Sequence, residues 1–446
     1  MAFQQTQNVI IGLKSMYSNK KVLFTLRTFK HLPYVYKLIN QIALSYNCII
    51  HVDERWDKDS LQRVRESGLL VPGIEIRPAI KLSIFQKILC ELKEYYAYIY
   101  YEHRLGSMSF YTKRWRSYQK LFKPLNFLAR HSFFRKILLS TRVRSIFSRL
   151  YSSRSLSVYM GTNDIGAVVC TSLNLRYTNE DFYLQTAKSC RIKTYYPILT
   201  WDNLSTKSTF MTMPETVFCF NSSQKRQLSK WHRINSSIQV CGSLFFEKWT
   251  ALKETVHKKN KSSNKPYILY LGSSANVIGD ESSIIYFLRL VLYRIKEKFN
   301  LEVELILKNH PAKINKIDKS LGVIVYEDFG LCESNDNELD YAQLLHNSLA
   351  VLGVNTSGLI DATFVNGNVF ALTDAGKNTR QAGVLHFEEM CESFNIKKLS
   401  LTAVDLLESI LVAVLSSERD RENTTEELAA IVPSQFMKDY ICAEVG

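Results

Sequence analysis

The chain has 446 residues, 46% hydrophobic and 22% charged, close to the globular average, which excludes a disordered or fibrous protein. That length exceeds one ordinary core and suits two or three domains. The net charge is +15, yet thirteen Lys and Arg and no acid lie between Arg104 and Asn163, which leaves the rest of the chain at +2.

Val22–Leu26 reads as a buried strand, followed by a loop carrying Arg27, Lys30 and His31 and then an amphipathic helix to about Tyr46. Cys48–Glu54 is the next strand and Ser60–Glu66 suits a helix. Asp57-Lys58-Asp59 has the spacing of metal-dependent sugar transfer, but it sits in a charged patch at a helix start, so it reads as solvated and no metal is assigned.

The basic segment, 104–154, interleaves cations with aromatics and leucines. Phe133, Ile137 and Leu138, then Ile146 and Leu150, form apolar stripes at helical spacing, with Arg135, Lys136, Arg142, Arg144 and Arg149 mostly off them. Such a pattern suits an anionic membrane surface, where each cation contributes roughly 1 kcal/mol. Nucleic acid competes as a partner, without any recognisable nucleic-acid-binding signature to back it. Helices packed on the N-terminal domain with a solvated basic face are the third reading.

After this segment strands and helices alternate again: Gly166–Ser172 a strand, Glu180–Cys190 a helix, Lys193–Pro197 and Thr216–Asn221 strands, Ser223–Trp231 a helix and Ile238–Ser243 a strand. Alternation of this kind implies a parallel sheet covered on both faces. The loop after Pro197 holds Trp201, Asp202, Asn203 and Lys207, a set that disfavours stability and suits function at a strand's carboxyl end. Asp202 is a candidate general base or ligand, Lys207 an anion contact, and His31 a second candidate base.

Residues 251–265 are polar and rich in Lys, Asn and Ser, and read as a linker between an N-terminal domain, 1–250, and a C-terminal domain, 266–446. The second domain shows the same alternation, with a strand at Tyr267–Leu271, a helix over Ser282–Phe299, strands at Val303–Lys308 and Val323–Tyr326, a helix over Tyr341–Asn347, a strand from Leu349, a helix to about Val365, and a strand at Val369–Thr373. Two doubly wound domains place a cleft at the carboxyl ends of their sheets. The last twenty residues have a helical pattern, and where they pack is not readable.

Three polar clusters follow strands of this second domain. Gly272-Ser273-Ser274 offers backbone N–H groups and hydroxyls to a phosphate, although any strand-to-helix turn favours such residues. His310, leaving a strand directly into a turn fixed by Pro311, can donate to a pyrophosphate or serve structure. Asn355-Thr356-Ser357 would cap the next helix, where a phosphate could sit, with Asp361 one turn on to accept from ribose; ordinary N-capping is the competing account. There is no GxGxxG, P-loop, HExxH or GxSxG motif. Nine dispersed cysteines without a CxxC pair, no secretory pattern and no stretch apolar enough to span a bilayer imply a cytoplasmic chain, soluble or peripheral at the inner face of the membrane.

The order WDNLSTK, VCGSLFFEKW, ILYLGSS, KNHP, VLGVNTSGLIDA and QAGVLHF, from about Gly166 to Asn395, is similar to a bacterial family of GT-B-fold glycosyltransferase-like proteins found with surface-polysaccharide genes. More distantly it resembles the polysialyl- and Kdo-transferases of capsule assembly and the alditol-phosphate transferases of teichoic acid. The resemblance implies a GT-B fold, two Rossmann-like domains facing across a cleft, with a nucleotide-sugar donor as co-substrate and no other cofactor. The donor would be held by Ser273, Ser274, His310, Asn355, Thr356, Ser357 and Asp361. A glycan or lipid-linked acceptor would lie near His31 and Asp202, with Arg27, Trp201, Asn203 and Lys207 as contacts. The chain departs from the pattern at Lys308-Asn309, where Arg-Pro is usual, at Gly367-Asn368-Val369, and at Asp361, where Glu is usual. Two other enzymes use this architecture, a CDP-alditol phosphotransferase and a UDP-N-acetylglucosamine 2-epimerase, and a non-catalytic membrane- or nucleic-acid-binding scaffold is the reading from another class.

Overall fold

The computed structural model describes residues 20–105, 131–258, 265–275, 277–310, 322–326, 335–374, 384–402, 404–416 and 432–445. The chain forms two compact units, Met1–Glu247 together with Ile431–Gly446, and Lys248–Ala430.

The first unit carries a seven-stranded parallel sheet. Its strands are β1 (Lys21–Leu26), β2 (Asn47–Val52), β3 (Glu75–Pro78), β4 (Ile165–Cys170), β5 (Lys193–Pro197), β6 (Thr216–Cys219) and β7 (Ser237–Val240), in the order β3-β2-β1-β4-β5-β6-β7. Five of the six residues of β1 are buried, because a central parallel strand has helices on both faces and therefore needs no polar alternation. Register is direct, with Leu23 opposite Ile49 on one side and Val168 on the other. Helix Leu32–Ala43 carries Pro33 in its first turn, where the missing N–H costs nothing, and buries Val35, Leu38, Ile39 and Ile42. Helix Pro433–Val445 completes this core: Met437, Ile441 and Val445 join Val22, Phe24, Ile50 and Val169. The second unit thus ends at Ala430, where the sequence carried it to residue 446.

The second unit has a six-stranded parallel sheet: β8 (Tyr267–Leu271), β9 (Glu304–Lys308), β10 (Ile324–Tyr326), β11 (Ala350–Gly353), β12 (Val369–Thr373) and β13 (Lys397–Ser400), in the order β10-β9-β8-β11-β12-β13. Its core is built by Ile268, Tyr270, Leu305, Leu307 and Leu352 against Ile285, Leu288 and Leu292 of helix Ser282–Phe299. Both sheets are Rossmann-like. The stretch read as a linker is helical over its first half, since helix Glu247–Lys258 runs through it.

The basic segment yields helices Ser132–Leu138 and Thr141–Arg149, while 106–130 of it lies outside the described residues. Arg144 is not one of a solvated set of cations. It is buried and donates to the carbonyls of His232 at 3.1 Å and Arg233 at 3.4 Å. Phe133, Phe134, Ile137 and Ile146 are exposed instead, beside Lys136, Arg142 and Arg149.

Candidate functional site

In a doubly wound sheet the strand order reverses beside the first strand, and the loops leaving there to opposite sides open a crevice at the carboxyl ends. That point lies between β1 and β4 in the first unit and between β8 and β11 in the second. Every candidate donor and acceptor residue named from the sequence falls on a loop at the carboxyl end of a strand, or on the helix that begins there.

In the first unit, Arg27 follows β1 directly and His31 ends a short 3-10 turn, Phe29–His31. Ser172, two residues beyond β4, shares a 2.8 Å hydrogen bond between its Oγ and His31 Nδ1. His31 Nε2 makes no hydrogen bond to the described residues. Burial, and then the charges of Arg27 and Lys207, push the imidazole down to about 3, so it is uncharged near neutrality. The turn at Thr171-Ser172 is held by Glu180, wholly buried at the start of helix Glu180–Ser189. Its carboxyl group accepts from Thr25 Oγ1 at 2.7 Å, Thr171 N at 3.1 Å and Ser172 N at 2.6 Å. Burial raises it to about 7 against those hydrogen bonds.

Asp202 has a different environment. Thr200 Oγ1 donates to it at 2.8 Å and Thr206 Oγ1 at 2.6 Å, and Lys207 Nζ pairs with it at 3.1 Å. Burial alone would raise this carboxyl group, but Lys207 and the two hydroxyls outweigh it and hold it well below the usual carboxylate range. A carboxylate so stabilised accepts a proton poorly, which makes Asp202 an organiser of its loop more than a base. Asn203 is buried, its Oδ1 sharing the one hydroxyl proton of Thr200 with Asp202, and it donates to Tyr196 Oη at 3.3 Å. The carbonyl of Trp201 accepts from Gln224 Nε2 at 3.2 Å.

Beside this group lies a cation–aromatic stack that the sequence does not announce. The Arg27 guanidinium sits 4.3 Å over the Trp56 ring, Trp56 stacks with Tyr177 at 6.0 Å, and Arg176 lies 4.6 Å over Tyr177. Tyr177 has a left-handed backbone, φ 53°, at a cost of roughly 1–2 kcal/mol for a bulky residue. It is clamped from both sides: its N–H donates to buried Glu94 at 3.2 Å and its carbonyl accepts from Arg55 at 3.1 Å. Arg55 is itself forked onto Asp53.

In the second unit, Ser273 is wholly buried. Its amide donates to Glu281 at 2.9 Å and its Oγ accepts from the Asn355 amide at 3.4 Å, so neither faces a ligand. Glu281 also accepts from Tyr270 Oη at 2.7 Å. Ser274 is half-buried and turns the chain by accepting from the amide of Val277 at 2.9 Å. The Asn355 side chain is buried against His386, Nδ2 to Nε2 at 2.9 Å. Half-buried His310 stands two residues past β9.

Thr356 is half-buried and Ser357 exposed, and the hydroxyls of both make no hydrogen bond to the described residues. Ser357 occupies the N-cap position without a side-chain capping bond, and the helix that follows, Gly358–Thr363, has only six residues. The capping expected of Asn355-Thr356-Ser357 is therefore absent, and the hydroxyls are left for another partner. Asp361 accepts from Trp249 Nε1 at 3.0 Å, and burial pushes its carboxyl group up to about 7 despite Lys248, Trp249 and Lys308. Trp249 is itself buried, stacked on Phe364 at 6.1 Å.

Besides the stack on Trp56 and Tyr177, Glu180, Glu281, Trp249 and His386 are residues that sequence reasoning missed. Each acts on a partner distant along the chain or through a backbone amide, and neither leaves a spacing to read. The stretch Gln381–Phe387 did mark the neighbourhood of His386.

No family model and no curated protein matches the chain. Among solved structures, a UDP-N-acetylglucosamine 2-epimerase from Rickettsia bellii is similar at TM-score 0.50 and 12% identity, over 96% of this chain and 97% of that one. The Neisseria meningitidis UDP-GlcNAc 2-epimerase bound to UDP-GlcNAc has TM-score 0.49 and 11% identity, over 95% and 99% of the two chains. A glycosyltransferase from Rickettsia africae has TM-score 0.44 and 10% identity, over 96% and 94%. At such identities the likeness concerns the fold, two Rossmann-like domains of the GT-B type.

Proposed function

We propose that the chain is a metal-independent glycosyltransferase that moves a sugar from a nucleotide-sugar donor to a surface glycan or lipid-linked acceptor. The observation that carries this reading is the pair of uncommitted hydroxyls, Thr356 and Ser357, at the switch point of the second sheet, next to Asp361. They would hold the leaving phosphate together with His310, while the Asp361 oxygen that Trp249 does not bond accepts from ribose. In the first unit His31 is the better of the two candidate bases, because its Nε2 makes no hydrogen bond to the described residues while Asp202 is held by Thr200, Thr206 and Lys207. Transfer in this reading forms a bond from the acceptor oxygen to the anomeric carbon and breaks the bond to the nucleotide phosphate, the electron pair going to that phosphate; the acceptor proton goes to a base, for which His31 Nε2 is the first unit's candidate.

Thermal melting against UDP, CDP, CMP, GDP, ADP and their sugar conjugates tests the donor half. A ligand at about 100 times its dissociation constant stabilises the fold by roughly 2.7 kcal/mol. One base should shift the melt, and His310→Ala or Thr356→Ala should abolish the shift. No shift with any nucleotide would sink the transferase reading. The same fold supports isomerisation as well as transfer, and turnover of UDP-N-acetylglucosamine without an acceptor would replace transfer by epimerisation.

The membrane half of the proposal rests on exposed Phe133, Phe134, Ile137 and Ile146 among Lys136, Arg142 and Arg149, a mixed apolar and cationic surface suited to anionic headgroups. Among the described residues no helix is long and apolar enough to cross a bilayer. Co-sedimentation with phosphatidylglycerol vesicles, reduced in Phe133→Ser/Ile137→Ser and absent with phosphatidylcholine, is the expected result. Equal binding to both lipids, or to neither, would remove this part.

A further inference from the structure

At the carboxyl edge of the first sheet one arginine stands apart from the ion pairs around it. Arg55 is paired with Asp53, and Lys207 with Asp202. Arg27 has no carboxylate within ion-pair distance among the described residues, and its Nε is buried without a hydrogen-bond partner. Burial even lowers its proton affinity, to about 10, with nearby Asp53 and Glu94 acting against that. Stacking on Trp56 occupies one face of the guanidinium, and its terminal N–H groups make no hydrogen bond to the described residues. The platform is rigid, because Trp56 packs on Tyr177 and Tyr177 is locked in a left-handed conformation by Glu94 and Arg55.

We infer that this edge binds the acceptor through an anionic group, a carboxylate or a phosphate carried next to a sugar ring, with Arg27 as its contact and Trp56 and Tyr177 fixing that contact in place. The acceptor would then be an acidic glycan. This rests on the transferase reading and adds the chemical class of the acceptor.

The placement has a consequence for His31. The charges of Arg27 and Lys207 are two of the causes that keep the imidazole neutral and weakly basic. An anion seated on Arg27 offsets the first of them, so the acceptor would strengthen the base that receives its own proton. A neutral acceptor would bring no such help.

The test needs no turnover and no donor. The whole chain is titrated with methyl β-glucuronide, glucose 6-phosphate and methyl β-glucoside by calorimetry, and the part of the tryptophan fluorescence change that is lost in Trp56→Leu reports on Trp56, which is 46% exposed. At least one anionic sugar should bind about tenfold or more tightly than the neutral glucoside, and which of the two does so separates a carboxylate from a phosphate acceptor. Arg27→Gln should erase the preference, Arg27→Lys should keep part of it, and Trp56→Leu should weaken it with the charge intact. The Lys variant serves if the Gln variant melts early. Equal binding of charged and neutral sugars, no binding of any, or a preference that survives in Arg27→Gln would overturn the inference. Displacement of the anionic sugar by a nucleoside diphosphate would also overturn it, by assigning Arg27 to the donor. Absence of nucleotide binding in the melting experiment strikes the transferase reading instead, so the two failures are distinct.

Discussion

Replacement of Glu180 by Gln separates the cost of burying a carboxylate from the benefit of its hydrogen bonds. The group receives three hydrogen bonds, two on Oε1 and one on Oε2. A glutamine keeps the two on its oxygen and turns an amide N–H₂ toward the Ser172 amide, which forfeits about 1 kcal/mol. Against this, burial raises the carboxyl group from 4.5 to about 7. A raised carboxyl contributes stability that is complete below its unfolded value and is lost as pH rises through the folded one. At 1.36 kcal/mol per unit, the wild type loses about 3 kcal/mol between about pH 4.5 and above pH 7 that the Gln variant keeps. Glu180→Gln should thus be about 1 kcal/mol less stable near pH 5 and about 2 kcal/mol more stable near pH 8. Urea unfolding at the two pH values gives both numbers from midpoints at an unchanged slope. Turnover should fall, because the turn that presents Ser172 to His31 depends on this carboxylate. A variant less stable at both pH values by a constant amount would refute the reasoning, since hydrogen bonding would then outweigh burial.

Three further substitutions probe other parts of the molecule. Lys93 and Asp181, both fully buried, pair at 2.5 Å, so Lys93→Met should cost about 3–5 kcal/mol in urea unfolding by stranding a buried charge. At Gly358 an added methyl would lie 3.0 Å from Leu271 Cδ1 and 3.1 Å from Tyr341 Oη, so Gly358→Ala should lose about 1–3 kcal/mol, read as a lowered melting temperature. Asp361, raised to about 7, should make nucleotide affinity rise roughly tenfold from about pH 6 to about pH 8 as the carboxylate forms, and calorimetry with Asp361→Asn should show a flat profile.

The central strands were legible because burial on both faces writes an uninterrupted apolar run, as in Val22–Leu26 and Tyr267–Leu271. The edge strands β3 and β13, Glu-Ile-Arg-Pro and Lys-Lys-Leu-Ser, carry no such run, since one side of an edge strand meets solvent. Helix Ile84–Leu105 misleads in another way. Lys93 and Glu94 look like a solvated face, yet both are buried, with Asp181 and the Tyr177 amide as partners far along the chain. The loop after β5 was recognised as polar and strategic, but the division of labour within it was not: whether Asp202 is a base or a staple depends on Thr200, Thr206 and Lys207 turning inward. Likewise Ser273 and Thr356 belong to the same residue class in the sequence, and only the backbone path decides that one is sealed in the core and the other left open.

The return of helix Pro433–Val445 to the first unit bears on the order in which the protein can be made. Met437, Ile441 and Val445 close the apolar face formed by Val22, Phe24 and Val169, and Tyr195 Oη donates to Glu444 at 2.8 Å. During synthesis that face emerges early and waits until residues 433–445 have been made, while the second unit, Lys248–Ala430, has all its strands by then and can fold first. The unit begun first is therefore finished last, and in the interval its exposed face is a natural target for chaperones.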